Sequence, residues 1–275
     1  MVKRLLAVCV WAAGFGLLTA PAWAEEVKPI KALLITGGNA HDYKGQVKLL
    51  TEGLSARANI EWTVEHPVNQ AGKELPGNTI IDIYKKPDWI KGYDVVVHNE
   101  CYAEAADKEA VESIAKAHAD SGVAGIIIHG TLHAYRSADK VTDEWRKFLG
   151  VTSVRHEKGG ATLDVKTVKV DHPIMAGLPE SWQAPGEELY VIAKEWPECV
   201  PLAKCKSAED ATKDYTTVWL NTCGKAKVFG NSMGHSNKTF QIPTFMDVTA
   251  RGLLWVCGKL DEKGQPKPGY GPKAK

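Results

Sequence analysis

The sequence predicts an α/β fold, with a mostly parallel sheet in the first half of the chain and added antiparallel strands in the second half. The first observation is that apolar, strand-like runs alternate with amphipathic helical segments up to about residue 150. That alternation is typical of parallel strands covered by helices on both faces. The second is that short strand-like segments then follow one another with little helix between them, which favours antiparallel pairing.

The first half repeats a strand, a turn and a helix. The run starting at Ile30 ends in two glycines, and the segment after it has apolar residues at helical spacing. Later runs are apolar enough for buried strands, and the helix between two of them ends at Gly122. The predicted strands are IKALLITGG, NIEWTVEH, YDVVVHNE and VAGIIIHG, and the predicted helices are QVKLLTEGLSAR and DKEAVESIAKAHADSG.

The second half consists of short strand candidates separated by turn residues. These candidates are ATLDVKTVKV, EELYVIA, CVPLAKC, YTTVWLNTC and AKVFGNSMG. The segment IPTFMDVTARGLLWVCG predicts a closing helix, because its proline stands near the start and its glycine at the end.

Residues 1–24 predict a secretory signal peptide. Lys3 and Arg4 precede an apolar run, and Ala22-Trp23-Ala24 supplies the small residues of a cleavage site. The run is short for a membrane span, which needs about 20 apolar residues. We therefore expect cleavage near Ala24 and a periplasmic or secreted location.

The mature chain predicts one α/β domain over residues 25–260 and a tail over 261–275. The tail is rich in Pro, Gly and Lys and lacks periodicity, so we expect it to be unstructured. Without the first 24 residues the chain has 32 basic and 33 acidic side chains. This balance argues against nucleic acid as a partner, and no later apolar run predicts a membrane span. The sequence leaves the oligomeric state open.

Five cysteines follow the predicted cleavage site, an odd number in a compartment that permits disulfides. At most two bridges can form, and their pairing stays open. Cys199 and Cys205 are close enough in sequence for a bridge, whereas Cys101 is the candidate for an unpaired, buried thiol. The five are Cys101, Cys199, Cys205, Cys223 and Cys257.

Polar residues follow the predicted buried strands in TGGNAHDY, HNECYAE, HGTLHAYR and NSMGHSN. Ligands of open α/β sheets bind beyond the carboxyl ends of the strands, so these residues are the candidates for a site. They are His41, Asp42, His98, Asn99, Glu100, His129, His133 and His235.

His129 admits two chemical interpretations. His129 and His133 have the spacing of a zinc-binding pair on a helix, but Gly130 replaces the glutamate that zinc hydrolases carry there. A different metal site, built from His129 with His41, His156 or His235 and a carboxylate, stays open. The strand and tight turn of IIIHG also have the form of a nucleophile elbow, with His129 where a Ser or Cys would stand.

Several of these motifs together resemble the ThuA-like (trehalose utilisation) family over about residues 30–258. The motifs are LLITGGNAHDY, YDVVVHN, GIIIHGT, WRKFLGVTSVRHE, DHPIMAGLPESW followed by EELYVI, and KVFGNSMGHS followed by TARGLLWVCG. The resemblance implies a flavodoxin-like sandwich similar to class I glutamine amidotransferases. In those enzymes the elbow carries the catalytic Cys, so His129 implies that this chain is not a glutaminase; His235 corresponds to their catalytic His.

The resemblance also implies a role with a small-molecule carbohydrate, namely a sugar or keto-sugar derivative in disaccharide use. On this hypothesis His129, His235 and Glu100 are the catalytic candidates. The substrate-binding candidates are His41, Asp42, Asn99 and His156. Two alternatives stay open: a non-catalytic carbohydrate-binding or accessory protein, and a metal-dependent hydrolase whose cofactor would be a divalent metal such as zinc.

Overall fold

The computed structural model describes residues 27–273, and its main feature is a nine-stranded sheet with the strand order β2-β1-β3-β4-β11-β10-β9-β6-β7. Two further strands, β5 and β8, pair with each other outside this sheet. The strands are β1 (Ile30–Gly38), β2 (Ile60–Glu65), β3 (Val95–Cys101), β4 (Ala124–Ile128), β5 (Val151–His156), β6 (Ala161–Thr167), β7 (Ser181–Glu187), β8 (Tyr190–Glu195), β9 (Val200–Lys206), β10 (Asp214–Cys223) and β11 (Ala226–Asn231). The α-helices are α1 (Tyr43–Ser55), α2 (Lys108–Ser121), α3 (Glu144–Leu149) and α4 (Pro243–Val256).

The pairing of the strands confirms the predicted α/β fold. Strands β2, β1, β3, β4 and β11 run parallel, whereas β10, β9, β6 and β7 are joined to them by antiparallel pairs. Each antiparallel step reverses the direction, so β7 again runs in the direction of β11. The carboxyl end of β7 therefore faces the same edge of the sheet as those of β1, β3, β4 and β11.

The central strands are apolar on both sides because helices cover both faces of the sheet. Leu34 of β1 points into a core with residues of α1 and α4, and its neighbours Leu33 and Ile35 point into the core under α2 and α3. Every residue of β3 and β4 is buried. A fully buried Leu or Ile contributes about 2 kcal/mol to stability, so the two cores together hold this sheet between its helices.

Local signals in the sequence fix the helix ends beside the sheet. The Asp42 side chain accepts a hydrogen bond from Gly45 N at 3.0 Å and caps α1, and Asp107 does the same for α2 from Ala110 N at 3.1 Å. Helix α2 ends at Gly122, whose φ of +78° is the left-handed conformation that glycine tolerates best.

Residues 261–273 differ from the unstructured tail that their composition predicts. Asp261 Oδ1 accepts hydrogen bonds from Lys263 N at 2.9 Å and Gln265 N at 2.8 Å, which closes a turn. Further on, the carbonyl of Tyr270 accepts from Asn59 N at 3.0 Å. The absence of apolar periodicity excluded a helix or strand here, but it did not exclude turns tied to the domain by backbone hydrogen bonds.

The five cysteines are free thiols in the structure. Cys205 lies in the core under α1 and α4, whereas Cys199 packs against the core on the opposite face of the sheet. The bridge that their spacing permitted is therefore not formed. The predicted signal peptide, residues 1–24, lies outside the described residues. Over residues 27–273, none of the helices combines the length and the apolarity that crossing a membrane requires.

Candidate functional site

Four side chains from separate parts of the chain meet at the carboxyl edge of the sheet: His41, His129, Glu188 and His235. His41 follows β1, His129 follows β4, Glu188 follows β7 and His235 follows β11. One nitrogen or oxygen from each lies within 4.8 Å of the others. Two ligands on opposite sides of an ion with bonds of about 2.1 Å are about 4.2 Å apart, so small side-chain movements would close this cluster around a metal.

His129 presents its Nε2 to the cluster because its other ring nitrogen, Nδ1, is used in a hydrogen bond. It is the first residue of a 3₁₀ turn after β4 and has a φ of +32°, the strained conformation of an elbow. Its Nδ1 lies 2.7 Å from the carbonyl of Ser232, which can only accept, so Nδ1 carries the proton. In the neutral ring, Nε2 then has a lone pair, and this buried atom has no hydrogen-bond partner among residues 27–273.

His41 has the same arrangement. Tyr43 Oη donates to the carbonyl of Asn39 at 3.0 Å, so it accepts from His41 Nδ1, also at 3.0 Å. The lone pair of the neutral ring is then on Nε2, which is buried and unpartnered within the described chain. The imidazole Nδ1–H bonded to a fixed oxygen is the arrangement that orients metal-binding histidines.

His235 and Glu188 complete the cluster. His235 Nδ1 is buried and makes no hydrogen bond to any described residue, although it lies 3.3 Å from Glu188 Oε2. The same oxygen lies 3.6 Å from His129 Nε2. A nitrogen lone pair repels a carboxylate oxygen at such distances unless a cation, either a proton or a metal ion, lies between them.

The charge states of the cluster suit a divalent cation. Burial, together with the nearby His129 and His235, lowers the pKa of His41 to about 3, so its ring is neutral at physiological pH. Partial burial by itself raises the pKa of Glu188, but the proximity of His129, His235 and His156 outweighs it and lowers that pKa to about 2. Neutral imidazoles with one carboxylate are typical ligands of zinc and similar metals.

Glu188 is the member of the cluster that sequence reasoning missed. The segment EELYVIA predicts a strand, whereas the structure ends β7 at Glu187 and begins β8 at Tyr190. Glu188 is therefore in a tight connection, where its side chain is free to turn towards the histidines. The sequence feature that could have indicated it is the pair of adjacent acidic residues, Glu187 and Glu188, at the point where β7 ends.

His156 and His133 lie beside the cluster. His156 Nδ1 donates to the carbonyl of Glu157 at 2.8 Å and lies 3.6 Å from Glu188 Oε1, and its side chain is 41% exposed. His133 is buried, its Nε2 lies 3.1 Å from Ser153 Oγ, and burial lowers its pKa to about 3. The zinc-binding pair that the spacing of His129 and His133 suggested is therefore not formed, because the chain turns in a 3₁₀ rather than an α-helix.

Glu100 is not in the cluster. It is fully buried on β3, where its Oε1 accepts from Tyr84 Oη at 2.5 Å and lies 2.9 Å from His98 Nδ1. His98 in turn contacts His118, their Nε2 atoms lying 3.1 Å apart. This network lies in the core under α2 and α3, so the structure gives Glu100 no contact with the four converging residues.

Asn99 and Asp42 lie close behind the cluster rather than in it. Asn99 Nδ2 donates to Gln46 Oε1 at 3.0 Å, and Gln46 Nε2 donates to the carbonyl of Gly234 at 3.2 Å. Asp42, besides capping α1, accepts from Asn237 Nδ2 at 2.6 Å. Both residues therefore support the loop after β11 that carries His235.

Comparisons with known proteins agree with this architecture. The family model ThuA, described as trehalose utilisation, matches residues 31–256. Among solved structures, a ThuA-like protein from Bacteroides uniformis is 17% identical with a TM-score of 0.61, and one from Parabacteroides merdae is 19% identical with a TM-score of 0.56. In both cases the match covers 90% of this chain and 98% of the other.

A GMP synthase subunit from Thermoplasma acidophilum is 13% identical with a TM-score of 0.51, and the match covers 84% of this chain and 96% of the other. At these identities the solved structures support the fold alone, and that fold agrees with the α/β architecture expected from the sequence. A search of curated proteins found no match.

Proposed function

The chain belongs to the ThuA family, and on that premise we propose that it binds a divalent transition-metal ion through His41, His129, Glu188 and His235 and acts with it on a sugar or oxidised sugar derivative. The observation that carries the proposal is the convergence of three buried, unpartnered imidazole nitrogens on one carboxylate. Buried polar groups are nearly always hydrogen-bonded, so three orphan nitrogens at one point indicate a missing ligand.

A metal ion accounts for all four side chains at once. Two of the three histidines have a proton fixed on the nitrogen that faces away from the cluster, so their lone pairs are oriented for coordination without rearrangement. A proton between His129 and Glu188 would satisfy only that pair and would leave His41 Nε2 and His235 Nδ1 unpartnered. Four protein ligands leave room for a fifth, such as water or a substrate oxygen.

The proposed substrate class follows from the family and from the chemistry of such an ion. The family is described as trehalose utilisation, which supports a disaccharide or a derivative of one. A bound divalent ion polarises a carbonyl oxygen and lowers the pKa of a bound water. Both effects suit an oxidised sugar, because a bound ion would activate its carbonyl group by polarising the C=O bond.

Metal binding is tested on the purified chain spanning residues 25–275. We expect about one equivalent of zinc or a related metal after reconstitution, measured by elemental analysis, and a loss of affinity of at least about 100-fold in His129→Ala and in His41→Ala. His172→Ala is the matched control, because that imidazole packs on Trp255 of α4 rather than in the cluster. Equal metal content in all four proteins would contradict the proposal.

The substrate class is tested separately. We expect turnover of a disaccharide or its 3-keto form by the reconstituted protein and none by the chelator-treated protein. Saturable sugar binding without turnover would instead support the carbohydrate-binding alternative.

The proposal also includes export of the protein to the periplasm. Residues 1–24 carry the pattern of a signal peptide, and expression of the full chain in a bacterial host is expected to give a periplasmic protein beginning at Glu25. N-terminal sequencing of the fractionated protein checks this. An intact N-terminus on a cytoplasmic protein would exclude it.

A further inference from the structure

We infer that Glu187, the residue before the proposed metal ligand Glu188, is a positioning residue that holds His235 in place and supplies a second negative charge beside the metal. The inference rests on the proposed metal site. Glu187 is the last residue of β7, and its side chain is fully buried. It is not one of the four converging ligands, so its role has to come from what it contacts.

The Glu187 carboxylate accepts hydrogen bonds from the loop that carries His235. Gly234 N donates to Oε2 at 3.1 Å and lies 3.2 Å from Oε1, and His235 N donates to Oε2 at 3.3 Å. The hydroxyl of Thr239, farther along the same segment, donates to Oε1. One side chain therefore accepts from two successive backbone N–H groups, those of Gly234 and His235, and so fixes the backbone from which the imidazole projects.

The same loop is held from its other side. The carbonyl of Gly234 accepts from Gln46 Nε2 at 3.2 Å, and the carbonyl of Ser232 accepts from His129 Nδ1 at 2.7 Å. Of these contacts, the hydrogen bonds to the Glu187 carboxylate, here called the Glu187 clamp, are the ones that reach the backbone of His235. Without them the loop would stay attached at Ser232 and at the Gly234 carbonyl, but the His235 backbone would be free to move.

Glu187 also has no basic partner within hydrogen-bonding distance among residues 27–273. Its three donors are neutral, and the nearest titratable nitrogen is His129 Nδ1, at 3.9 Å from Oε2. A buried carboxylate normally needs a compensating positive charge. A divalent ion on His129 and Glu188 would provide that charge, and the two carboxylates together would neutralise it.

Two substitutions separate the clamp from the charge. In Glu187→Gln the amide oxygen can replace Oε2 as acceptor for Gly234 N and His235 N, and the amide nitrogen can donate to Thr239, so the geometry is kept and the charge is lost. In Glu187→Ala both are lost. The matched control is Glu157→Gln, because Glu157 is also a buried carboxylate that accepts from a hydroxyl and a backbone amide, those of Ser207 and Ala208.

The measurements are Zn²⁺ affinity by competition with a chelator, and the visible spectrum of bound Co²⁺, which reports ligand geometry. We expect Glu187→Gln to weaken Zn²⁺ binding about 10-fold to 100-fold with little change in the Co²⁺ spectrum. Glu187→Ala is expected to weaken it further and to change the spectrum, and Glu157→Gln to bind like the wild type. Thermal unfolding in chelator shows whether each variant is folded, and if Glu187→Ala is not, Glu187→Gln decides.

This inference would be overturned if Glu187→Gln and a folded Glu187→Ala both kept the wild-type affinity and spectrum while His129→Ala lost the metal. The proposed metal site would still be supported by that result. Equal weakening in Glu157→Gln would also overturn it, because the effect would then be general destabilisation. If the wild-type chain binds neither Zn²⁺ nor Co²⁺, the proposed function and this inference fail together.

Discussion

His129 donates its Nδ1 proton to the carbonyl of Ser232 at 2.7 Å, which links the turn after β4 to the loop after β11 across 103 residues of sequence. The bond fixes the imidazole with its other nitrogen facing His41, Glu188 and His235. A histidine at an elbow position is therefore oriented here as a ligand, with its lone pair presented by a hydrogen bond on the far side of the ring.

Tyr43→Phe is expected to weaken metal binding without removing a ligand. The Tyr43 hydroxyl accepts from His41 Nδ1, and without it the ring loses the contact that fixes its tautomer and orientation. We expect a loss of about 10-fold to 100-fold in Zn²⁺ affinity. Tyr215→Phe, in a partly buried position on β10, serves as the control, and unchanged affinity in Tyr43→Phe would show that His41 is held by packing alone.

The metal-free protein is expected to lose stability below pH 6.5. Burial, and then the charge of His98, hold the pKa of His118 well below its usual range, so the unfolded chain binds a proton there that the folded chain does not. The stability that this histidine contributes is full above its unfolded pKa of about 6.5, and it falls as the pH drops, by up to about 1.4 kcal/mol per pH unit.

Urea unfolding in the presence of chelator at several values between pH 7.5 and pH 5 measures this slope. His41 and His133, whose pKa values burial lowers to about 3, are expected to add to it with the same sign. A free energy of unfolding that does not change over this pH range would contradict the prediction. His118→Gln should reduce the slope by at most about 1.4 kcal/mol per pH unit, the contribution of one bound proton.

Gly234→Ala is expected to reduce both stability and metal affinity. Gly234 has a φ of +126°, which only glycine adopts readily, and an added Cβ would lie 3.3 Å from His129 Cβ and 3.2 Å from Ile128 Cγ2. The loop has to shift, and His235 shifts with it. Gly72→Ala is the control: its φ is +70° and nothing lies within 4 Å of its added Cβ, so it should cost about 1 kcal/mol and leave Zn²⁺ affinity unchanged.

Asp42→Ala is expected to cost more stability than Asp107→Ala. Both aspartates cap a helix, a contact worth about 1 kcal/mol, but Asp42 also accepts from Asn237 on the loop after β11. The difference between the two free energies of unfolding, measured in urea, isolates that second contact. Equal losses would mean that the Asn237 hydrogen bond contributes nothing, and Asp42→Asn should restore most of the cap.

The sequence predicted the architecture well because the signals for it are local. Apolar runs long enough for buried strands, amphipathic helices and caps such as Asp42 and Gly122 each depend on neighbouring residues, and the order of elements then fixes a parallel sheet. It also predicted that His41, His129 and His235 would meet, since all three follow strands whose carboxyl ends share one edge.

Glu188 could not be assigned in the same way. Its position depends on four successive antiparallel pairings, from β11 through β10, β9 and β6 to β7, which bring β7 back into the direction of β11. No local sequence pattern encodes that series of pairings. Glu100 was misassigned for a different reason. It follows the strand-end pattern, but its side chain lies in the core under α2 and α3, because successive residues of a strand point to opposite faces of the sheet.

The sequence by itself thus determined the fold class, the family resemblance and three of the four converging side chains. Only the tertiary structure decided which carboxylate joins the histidines, which nitrogen of His41 and His129 faces the cluster, and that Glu187 holds the loop of His235. Those features depend on hydrogen bonds between residues as far apart in sequence as His129 and Ser232, which are 103 positions apart. Such contacts form only once the chain is folded.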